Sequence, residues 1–585
     1  MNVKLIIGVI LTLLIAQSCD FVTKVKFSNK INNNSDEVFI KLDTINDDFD
    51  INEFCQQGRL YYMAKIWGRI KYRGISTTDS LDSSLLNAIP NIIGANNKNA
   101  FNAELESFLC SVIDSKLLKD LENSKSQSSD TAHKRWCEDT VYFSDKIQNY
   151  LYSLNQPKYW ETNNYVKHNA FGIIKIAEHI KDTNACPNIR HRLFGLFDYW
   201  NLIDNYYVHK GIMGHNWDSV LYHTIPDFLN CSDSIEYNKA ILKLTALLND
   251  THVFTTSETI DSVIFGGNIP PFTLYRFNDR FYVDGIYLKD FDILQIGDEV
   301  VTVNDVEIKH LYDSIALFKG LSVKRKNKKV GWLVYSTPKD SISIGYIRND
   351  SANKVNVVCK SYREITAEKR QDKTEKAKDY RIEKLVNGVS YFHIQYLTKR
   401  NISKIIDNIG KNDTIVFDLR GYPEYGVSLR LIDFFISKRS SFATITYPDI
   451  KNPGIIRTNK GKKTWKFSNS FEGLLVILVD ENTMSEAEYL TMALQKAKNA
   501  ITVGSTTIGA NGNVVFYTFP GNVRTCFTGI GIFYPDMTPT QRVGVKIDHY
   551  IEPTLDDIIR RRDPVLEFVI DTLLAISNVQ CAINN

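Results

Sequence analysis

LLVILVDENTMSEAE, at positions 474–488, is the stretch of sequence that decides the fold. The six apolar residues at 474–479 are typical of a buried strand. A short polar turn follows, and apolar residues then recur at helical spacing over 486–499. The pattern therefore predicts a strand, a turn and a helix, with Ser485 at the start of the helix.

Ser485 is a lone hydroxyl at this turn, beside the unpaired amides of a helix N-terminus. Such a position can expose a nucleophile and supply oxyanion donors at the same point. The alternative interpretation is that Ser485 is simply a helix N-cap, for which serine is a favoured residue.

The surrounding sequence alternates between strand and helix patterns. Strands are predicted at 388–394 and 414–420, and helices at 402–409 and 429–436. Alternation of this kind predicts a mixed α/β fold, with a mixed sheet and crossover helices, for a core spanning 362–585.

Residues 262–361 have a different character, with short β-runs separated by turn signals. The segment 294–305, LQIGDEVVTVND, places a Gly-Asp turn before an alternating strand, and a short helix is predicted over 311–318. This resembles the second half of a PDZ domain. The residues Pro-Pro-Phe at 270–272 stand where that family has a glycine-rich loop.

Two aromatic amphipathic helices precede this insert, at 59–72 and 192–206. Both contain Arg-Leu, then Trp, then a Tyr five or six residues further on. They indicate either a duplicated helical unit or two unrelated aromatic helices. We divide this part into a mainly helical N-terminal region, 55–185, and a helical cap, 186–261.

The first nineteen residues have the features of a targeting segment: Lys4, then a twelve-residue apolar stretch at 5–16. A small residue directly precedes Cys19, which resembles a bacterial lipoprotein signal with Cys19 lipidated; plain secretion is the alternative. Residues 20–54 are polar and predict a tether. No other segment approaches 18 apolar residues, so we expect an extracytoplasmic, lipid-anchored protein of the cell envelope.

Length, charge and composition limit the number of domains and the classes of partner and cofactor that we expect. A chain of 585 residues predicts two to four domains, and a net charge of +3 gives no reason to expect a nucleic-acid partner. No residues have metal-ligand spacing or a phosphate loop, so no cofactor is expected. Disulfides and buried free thiols are both open for the eight cysteines beyond Cys19, which are Cys55, Cys110, Cys137, Cys186, Cys231, Cys359, Cys526 and Cys581.

The order of motifs resembles a known family. NDTHV, the PDZ-like insert, GVSYFHI, IVFDLRGYP, LLVILVDENTMSEAEY, VGSTTIGANG and QRVGVKIDHYIEPT follow one another over roughly 190–575. This is similar to the tail-specific or C-terminal processing serine peptidases, which include the tricorn core. The resemblance implies an α/β serine peptidase with Ser485 as nucleophile and a protein or peptide as substrate.

The general base distinguishes two branches of this family. One branch uses a lysine about 25 residues after the serine, but Ala510 stands at that position, and Lys496 and Lys498 are expected to be solvated. The tricorn-like branch uses a histidine in a Ser-His or similar dipeptide, which Thr251-His252 matches. The resemblance therefore implies His252 as base, with Thr251 helping to orient the network.

The tricorn-like branch also has a carboxylate near the C-terminus. Its position here is Gln541, an uncharged residue, and Glu488 and Asp250 are candidate substitutes. For the oxyanion hole, the resemblance points to the amides of Gly421 and Glu486.

Asp418 and Arg420 lie in the same turn as Gly421, and we interpret them as a structural ion pair. The sequence thus predicts a secreted, lipid-anchored serine endopeptidase. The alternative is a catalytically inactive peptide- or glycan-binding lipoprotein on the same scaffold.

Overall fold

A computed structural model of the chain describes residues 49, 51–75, 80–123, 136–154, 164–169, 172–177, 182–288, 290–319, 329–378, 380, 383–385, 389–411, 413–436, 438–463 and 471–573. The predicted signal segment 1–19, the lipidation site Cys19 and most of the tether 20–54 lie outside these residues. Within the described parts, no helix combines the length and apolar character needed to cross a lipid bilayer.

The first helical region is built around a buried aromatic helix. Its helices are α1 Gln56–Tyr72, α2 Leu81–Gly94, α3 Lys98–Val112, α4 Ser115–Asn123 and α5 Asp145–Leu154. Nearly all of α1 is buried, which explains why its sequence is apolar on more than one face.

A short hairpin and a second set of helices follow. They are β1 Val166–His168, β2 Ile174–Ile176, α6 Ile189–Tyr206, α7 Trp217–Leu229 and α8 Ser234–Ala246, and then β3 Thr255–Thr256. One hydrophobic cluster contains residues of both sets, so the N-terminal region and the cap share a core.

The two sets of helices make equivalent contacts, which favours a duplicated unit over two unrelated aromatic helices. Arg59 Nε and Nη2 donate to the carbonyls of Ile92 and Ile93, both at 2.9 Å, at the end of α2. At the end of α7, the corresponding donors of Arg192 bind the carbonyls of Phe228 and Leu229, at 2.9 and 3.1 Å. In each set, the same arginine position satisfies helix C-terminal carbonyls.

The inserted domain is a β-structure with its own hydrophobic core. Its elements are β4 Asn268–Ile269, β5 Phe272–Phe277, β6 Arg280–Ile286, β7 Glu299–Val303, β8 Val306–Glu307, α9 Ile308–Lys319, β9 Lys329–Val330, β10 Ser341–Arg348, β11 Ser351–Val358 and β12 Lys360–Ser361. The main sheet has the order β11-β10-β7-β6-β5-β9, with β8 paired to β7. The helix α10, Tyr362–Lys378, leads on to the core.

The core is a mixed sheet with crossover helices, as the sequence predicts. Its first elements are β13 Glu383–Lys384, β14 Ser390–His393, α11 Ile402–Ile406, β15 Thr414–Asp418, α12 Val427–Phe435, β16 Ser441–Pro448, β17 Ile456–Lys463, β18 Leu474–Val479, α13 Glu486–Leu494 and β19 Ala500–Gly504. Strands β14, β15, β18 and β19 are parallel, and β13 is antiparallel to β14.

Strand β18 lies in the middle of this sheet. Leu475, Ile477 and Val479 belong to the cluster on one face, while Val476 and Leu478 belong to the cluster on the other. Because both faces are covered, the strand is continuously apolar.

The remaining elements complete the sheets and the C-terminal end. They are β20 Val514–Phe519, β21 Val523–Thr528, β22 Gly531–Phe533, β23 His549–Tyr550, α14 Leu555–Ile559 and α15 Pro564–Phe568. Short 3₁₀ turns lie at Lys210–Ile212, Trp332–Val334 and Ile394–Tyr396, and π-helical turns at Thr259–Ile264 and Val569–Leu573. Strand β3 pairs with β21, β22 with β16, and β23 extends the core sheet beside β19.

A buried ion network joins α1, α6 and the β20–β21 hairpin. Lys71 Nζ donates to Asp82 at 3.1 Å and to Asp198 at 2.9 Å. The Tyr517 hydroxyl, on β20, donates to Asp198 at 3.0 Å. The two sets of helices therefore fix the position of this hairpin.

The cysteines of the described segments form no disulfide. They are Cys55, Cys110, Cys137, Cys186, Cys231, Cys359 and Cys526. Cys581, like Cys19, lies outside the described residues.

Gly68 lies where α1 and α6 approach each other closely. A Cβ at this position would overlap the carboxamide of Asn201, whose amide group donates to the carbonyls of Ala64 and Phe197, both at 2.9 Å. Gly68→Ala must displace that side chain and break buried hydrogen bonds, so we expect it to lower the free energy of unfolding by about 3 kcal/mol. Denaturant unfolding monitored by circular dichroism measures this.

Gly94→Ala is the matched control, because Gly94 ends α2 and nothing lies within 4 Å of its added Cβ. Equal unfolding midpoints for Gly68→Ala and the unsubstituted protein would contradict the assigned contact.

Candidate active site

Ser485 occupies the turn between β18 and α13 in a strained conformation. Its φ of 54° and ψ of −113° are unusual for a residue with a side chain. Ser485 is the N-cap residue of α13, but N-caps ordinarily adopt extended backbone. The preceding turn is fixed because the Thr483 hydroxyl donates to the Leu419 carbonyl at 2.9 Å. The surrounding hydrogen bonds thus hold the strained serine.

Glu488 ties the serine turn to the loop that follows β19. Its buried carboxylate accepts from the amides of Ser485, Gly509 and Ala510, at 3.2, 2.9 and 3.0 Å, and from the Thr507 hydroxyl at 2.5 Å. Burial raises the pKa of Glu488 to about 7, and the four donors act in the opposite direction. Ala510, where the lysine of one family branch would stand, is fully buried and contributes only its amide.

The histidine site lies between α8 and β3. His252 Nδ1 is 2.9 Å from the Thr528 hydroxyl, which is 2.9 Å from Asp250 Oδ1. Because a carboxylate only accepts, the threonine hydroxyl donates to Asp250 and accepts from the His252 Nδ1–H. This arrangement fixes the tautomer and leaves the lone pair on His252 Nε2. That nitrogen is buried and has no hydrogen-bond partner among the described residues.

Burial of this site favours a neutral imidazole. Burial lowers the pKa of His252, although the Asp250 carboxylate acts in the opposite direction. Burial also lowers the pKa of the neighbouring His209 to about 4. Burial works to raise the pKa of Asp250, but the two histidines and the Thr528 hydrogen bonds outweigh it and lower that pKa. Asp250 is therefore the charged member of the group.

Segment 540–545 connects the histidine site to the serine site. Gln541 Nε2 donates to Asp250 Oδ1 at 3.0 Å. Arg542 Nε donates to the Asn249 carbonyl at 2.8 Å, and the Arg542 amide donates to the Gly509 carbonyl at 2.7 Å. Glu488 is therefore linked to Asp250 through Gly509 and through the adjacent residues Arg542 and Gln541. His252 and Ser485 lie at the two ends of this network, and no hydrogen bond joins them directly in the described structure, where Nε2 has no partner.

Gly421 and Glu486 lie on neighbouring turns at one edge of the core sheet. Strands β15 and β18 are parallel, so the turns that follow them share that edge. Neither amide donates to an acceptor within the described residues. A Cβ at Gly421 would lie 3.0 Å from His393 Cε1, which explains the glycine. Both amides are therefore open to a ligand oxygen.

Of the remaining predicted residues, Arg420 is held by ion pairs, whereas Thr251 makes no hydrogen bond within the described residues. Arg420 forms ion pairs with Asp418 and Asp563, each with a shortest distance of 2.6 Å, so the interpretation of Asp418 and Arg420 as a structural pair agrees with these contacts. Thr251 is half-buried and has no hydrogen bond within the described residues. The hydroxyl that contacts His252 Nδ1 is that of Thr528.

Among the described residues, neither a cluster of metal ligands nor Lys498 takes part in this site. In the ranges that the structure describes, no three His, Cys, Asp or Glu side chains are grouped to hold a metal ion. Lys498 is largely exposed and pairs with Glu472 at 2.6 Å, away from Ser485.

The comparison with family models agrees with this geometry. Residues 381–551, which contain Ser485, Gly421, Glu488 and Gln541, match the model described as peptidase family S41. Over this stretch the chain is similar to the serine-type peptidases of family S41. A search of curated proteins finds no match to the chain.

A search of solved structures finds distant similarities, each with a TM-score below 0.5. Mature CPAF is 13% identical, with a TM-score of 0.48, and the match covers 64% of this chain and 94% of that one. The photosystem II D1 C-terminal processing protease is 15% identical, with a TM-score of 0.38 and coverages of 63% and 96%. The tricorn protease is 15% identical, with a TM-score of 0.36 and coverages of 66% and 37%.

Sequence reasoning missed Thr528, His209 and Arg542 in the S41 peptidase site. Thr528 ends a strand 276 residues from His252, and no motif links the two. His209 follows α6 and belongs to no sequence motif. Arg542 lies in the motif QRVGVKIDHYIEPT, but nothing in that motif indicates its role at this site.

Thr528→Val tests the orientation of the imidazole. The substitution keeps the shape but removes the hydroxyl between His252 and Asp250, so both tautomers of His252 become populated. We expect kcat for peptide hydrolysis to fall by about 10²-fold or more, with KM little changed. Thr446→Val is the control, because Thr446 is also a buried strand threonine and its hydroxyl has no partner in the described parts. A kcat equal to that of the control would remove Thr528 from the site.

Glu488→Gln tests the buried carboxyl through pH. The folded-state pKa of Glu488 is raised to about 7 from 4.5, so its contribution to stability is full below pH 4.5 and is lost as pH rises through 7. The difference in unfolding free energy between wild type and variant should therefore shrink by roughly 3 kcal/mol between pH 4 and pH 8. Denaturant unfolding across this range measures the difference.

Glu472→Gln is the control for this comparison, because Glu472 lies in an ion pair with the largely exposed Lys498. A pH-independent difference for Glu488→Gln would show that the carboxyl does not titrate in this window.

Proposed function

We propose that the protein is a secreted, lipid-anchored serine endopeptidase in which Ser485 is the nucleophile and His252 the general base. The observation that carries this proposal is the free Nε2 of His252, a buried neutral nitrogen whose other ring nitrogen is occupied by Thr528. A base of this kind can accept a serine proton near neutral pH.

The reaction follows from these groups. Ser485 Oγ attacks the peptide carbonyl while its proton passes to His252 Nε2, and the C–O bond of a tetrahedral intermediate forms. The amides of Gly421 and Glu486 donate to the oxyanion. His252 then gives the proton to the leaving amine as the C–N bond breaks, and water hydrolyses the acyl-enzyme by the reverse proton path.

Asp250 stabilises the imidazolium that forms in this reaction. Its carboxylate is 4.0 Å from His252 Nδ1 and is linked to it through the Thr528 hydroxyl. Gln541 donates to the same carboxylate and therefore acts on the base through Asp250. The negative charge that the tricorn-like branch has near its C-terminus is supplied here by Asp250, on the histidine's own loop.

The proposed substrate class and the proposed cellular location of the protein are inferred from its sequence. The family implies a protein or peptide substrate. The apolar stretch at 5–16 followed by Cys19 supports export and lipidation, with the peptidase held in an extracytoplasmic compartment. A PDZ-like role for the β-insert is part of the same proposal.

One observation favours a second candidate, a catalytically inactive peptide- or glycan-binding lipoprotein. The described structure has no direct hydrogen bond between Ser485 and His252. Catalytic hydrogen bonds often form only with substrate bound, so we prefer the enzyme.

Degradation of casein by the mature protein decides between the two candidates. Ser485→Ala and His252→Gln should each lower kcat/KM by about 10³-fold or more, with no effect of a chelator. The acid limb of the kcat/KM profile should lie below pH 6.5, because the lowered pKa keeps His252 neutral at lower pH.

Ser314→Ala and His310→Gln are the controls, because both residues are exposed on α9 or at its start. Activity that survives Ser485→Ala would refute the nucleophile. A wild type that binds but does not cleave casein or a peptide library would establish the binding protein.

A further inference from the structure

Three large apolar side chains are exposed directly after Gly421. The exposed fractions are 49% for Tyr422, 87% for Tyr425 and 64% for Leu429. Single exposed apolar residues are common, but here three occur within eight residues of the chain. We call Tyr422, Tyr425 and Leu429 the apolar rim.

The apolar rim lies beside the catalytic turn. Gly421, whose amide is free, directly precedes Tyr422, and Leu429 is in the first turn of α12. Helix α12 packs against α13, which begins immediately after Ser485. The rim and the nucleophile therefore belong to two elements that are in contact at the same edge of the sheet.

The rim is preformed. Gly426 begins α12 with φ 86°, and the Val427 amide donates to the Glu424 carbonyl at 3.1 Å, so the turn has a defined shape. Lys399 Nζ lies 4.8 Å from the centre of the Tyr425 ring, a cation–π distance. A side chain that enters the rim therefore meets a turn whose backbone shape is already defined.

We propose that the apolar rim is a substrate subsite that accepts a bulky apolar side chain, such as Leu, Met, Phe or Tyr, close to the bond that is cleaved. This rests on the proposed function. A peptide whose carbonyl oxygen binds the Gly421 amide must run past the residues that follow Gly421. Its neighbouring side chain then removes the rim from water, which favours large apolar groups over small or charged ones.

The substrates are therefore extended segments of unfolded protein that are rich in aromatic and large aliphatic residues. Folded proteins bury such residues, so the rim also selects against native substrates.

The test is a set of fluorogenic peptides that differ only at the residues flanking the cleaved bond, carrying Leu, Phe, Ala or Glu. Wild type should cleave the Leu and Phe peptides with a kcat/KM about tenfold or more above that for Ala, and Glu should be poorest. Leu429→Ala and Tyr425→Ala should reduce the preference for Leu over Ala to about threefold or less.

Val358→Ala is the matched control, because Val358 is 68% exposed and lies on β11 of the inserted domain. Both rim residues are exposed, so the variants should fold; equal unfolding midpoints establish this. A preference unchanged in both rim variants would overturn the subsite while leaving the peptidase intact. A wild type that cleaves none of the peptides would refute the proposed function, and the subsite with it.

Leu429→Glu separates a substrate subsite from a protein-docking surface. The subsite requires a further loss of activity on the Leu peptide at constant molecular mass. A change in mass by light scattering, with the peptide preference retained, would instead assign the rim to an interface between copies of the chain and overturn the proposal.

Discussion

The buried carboxylate of Asp250 is the interaction on which the site depends. It accepts from the amides of His252 and Thr528, from the Thr528 hydroxyl and from Gln541, at 2.7 to 3.0 Å. Those donors come from three separate parts of the chain, so one anion fixes three segments relative to each other. A buried charge is tolerated only when it is satisfied in this way. The need to satisfy Asp250 is therefore also what aligns His252.

The carboxyl group of Glu488, near Ser485, is satisfied in the same way, by backbone and hydroxyl donors. Asp250 and Glu488 are both buried, and each is held chiefly by amide and hydroxyl donors. Asp418, in the next turn, is instead neutralised by Arg420. Amide donors are part of the backbone, so carboxylates held by them fix loop conformations, whereas an ion pair fixes two side chains. The difference suits a site in which loop positions determine the geometry.

The sequence predicted the parts of the site that local patterns encode. The apolar run at 474–479 and the helical spacing after it indicated the turn at Ser485. Gly421 came from the family resemblance, and the structure shows that its turn shares an edge of the sheet with that of Ser485, because β15 and β18 are parallel. Thr528 could not be predicted, because its role arises from the pairing of β21 with β3, two strands far apart in sequence. The family resemblance implied Thr251 as a residue that helps to orient the network. In the described structure the hydroxyl that contacts His252 Nδ1 is that of Thr528, which comes from another strand.

A comparison of the two sets of helices shows why only the second contributes residues to the candidate site. Asp114 follows α3 as Asp250 follows α8, and each of these helices begins at an Asn or Asp N-cap. Asp114 remains exposed and accepts from the amides that start α4. Asp250 is buried, because the chain after it enters β3 and pairs with β21, which brings Thr528.

The two units therefore differ in the segment after the last helix rather than in the helices themselves. The first unit, through Lys71 and Asp198, holds the hairpin that completes the second. A copy without the histidine thus still serves the site, because the hairpin carrying Thr528 is anchored between the two units. In agreement with this anchoring, the apolar residues of the hairpin pack in the same hydrophobic cluster as the two sets of helices.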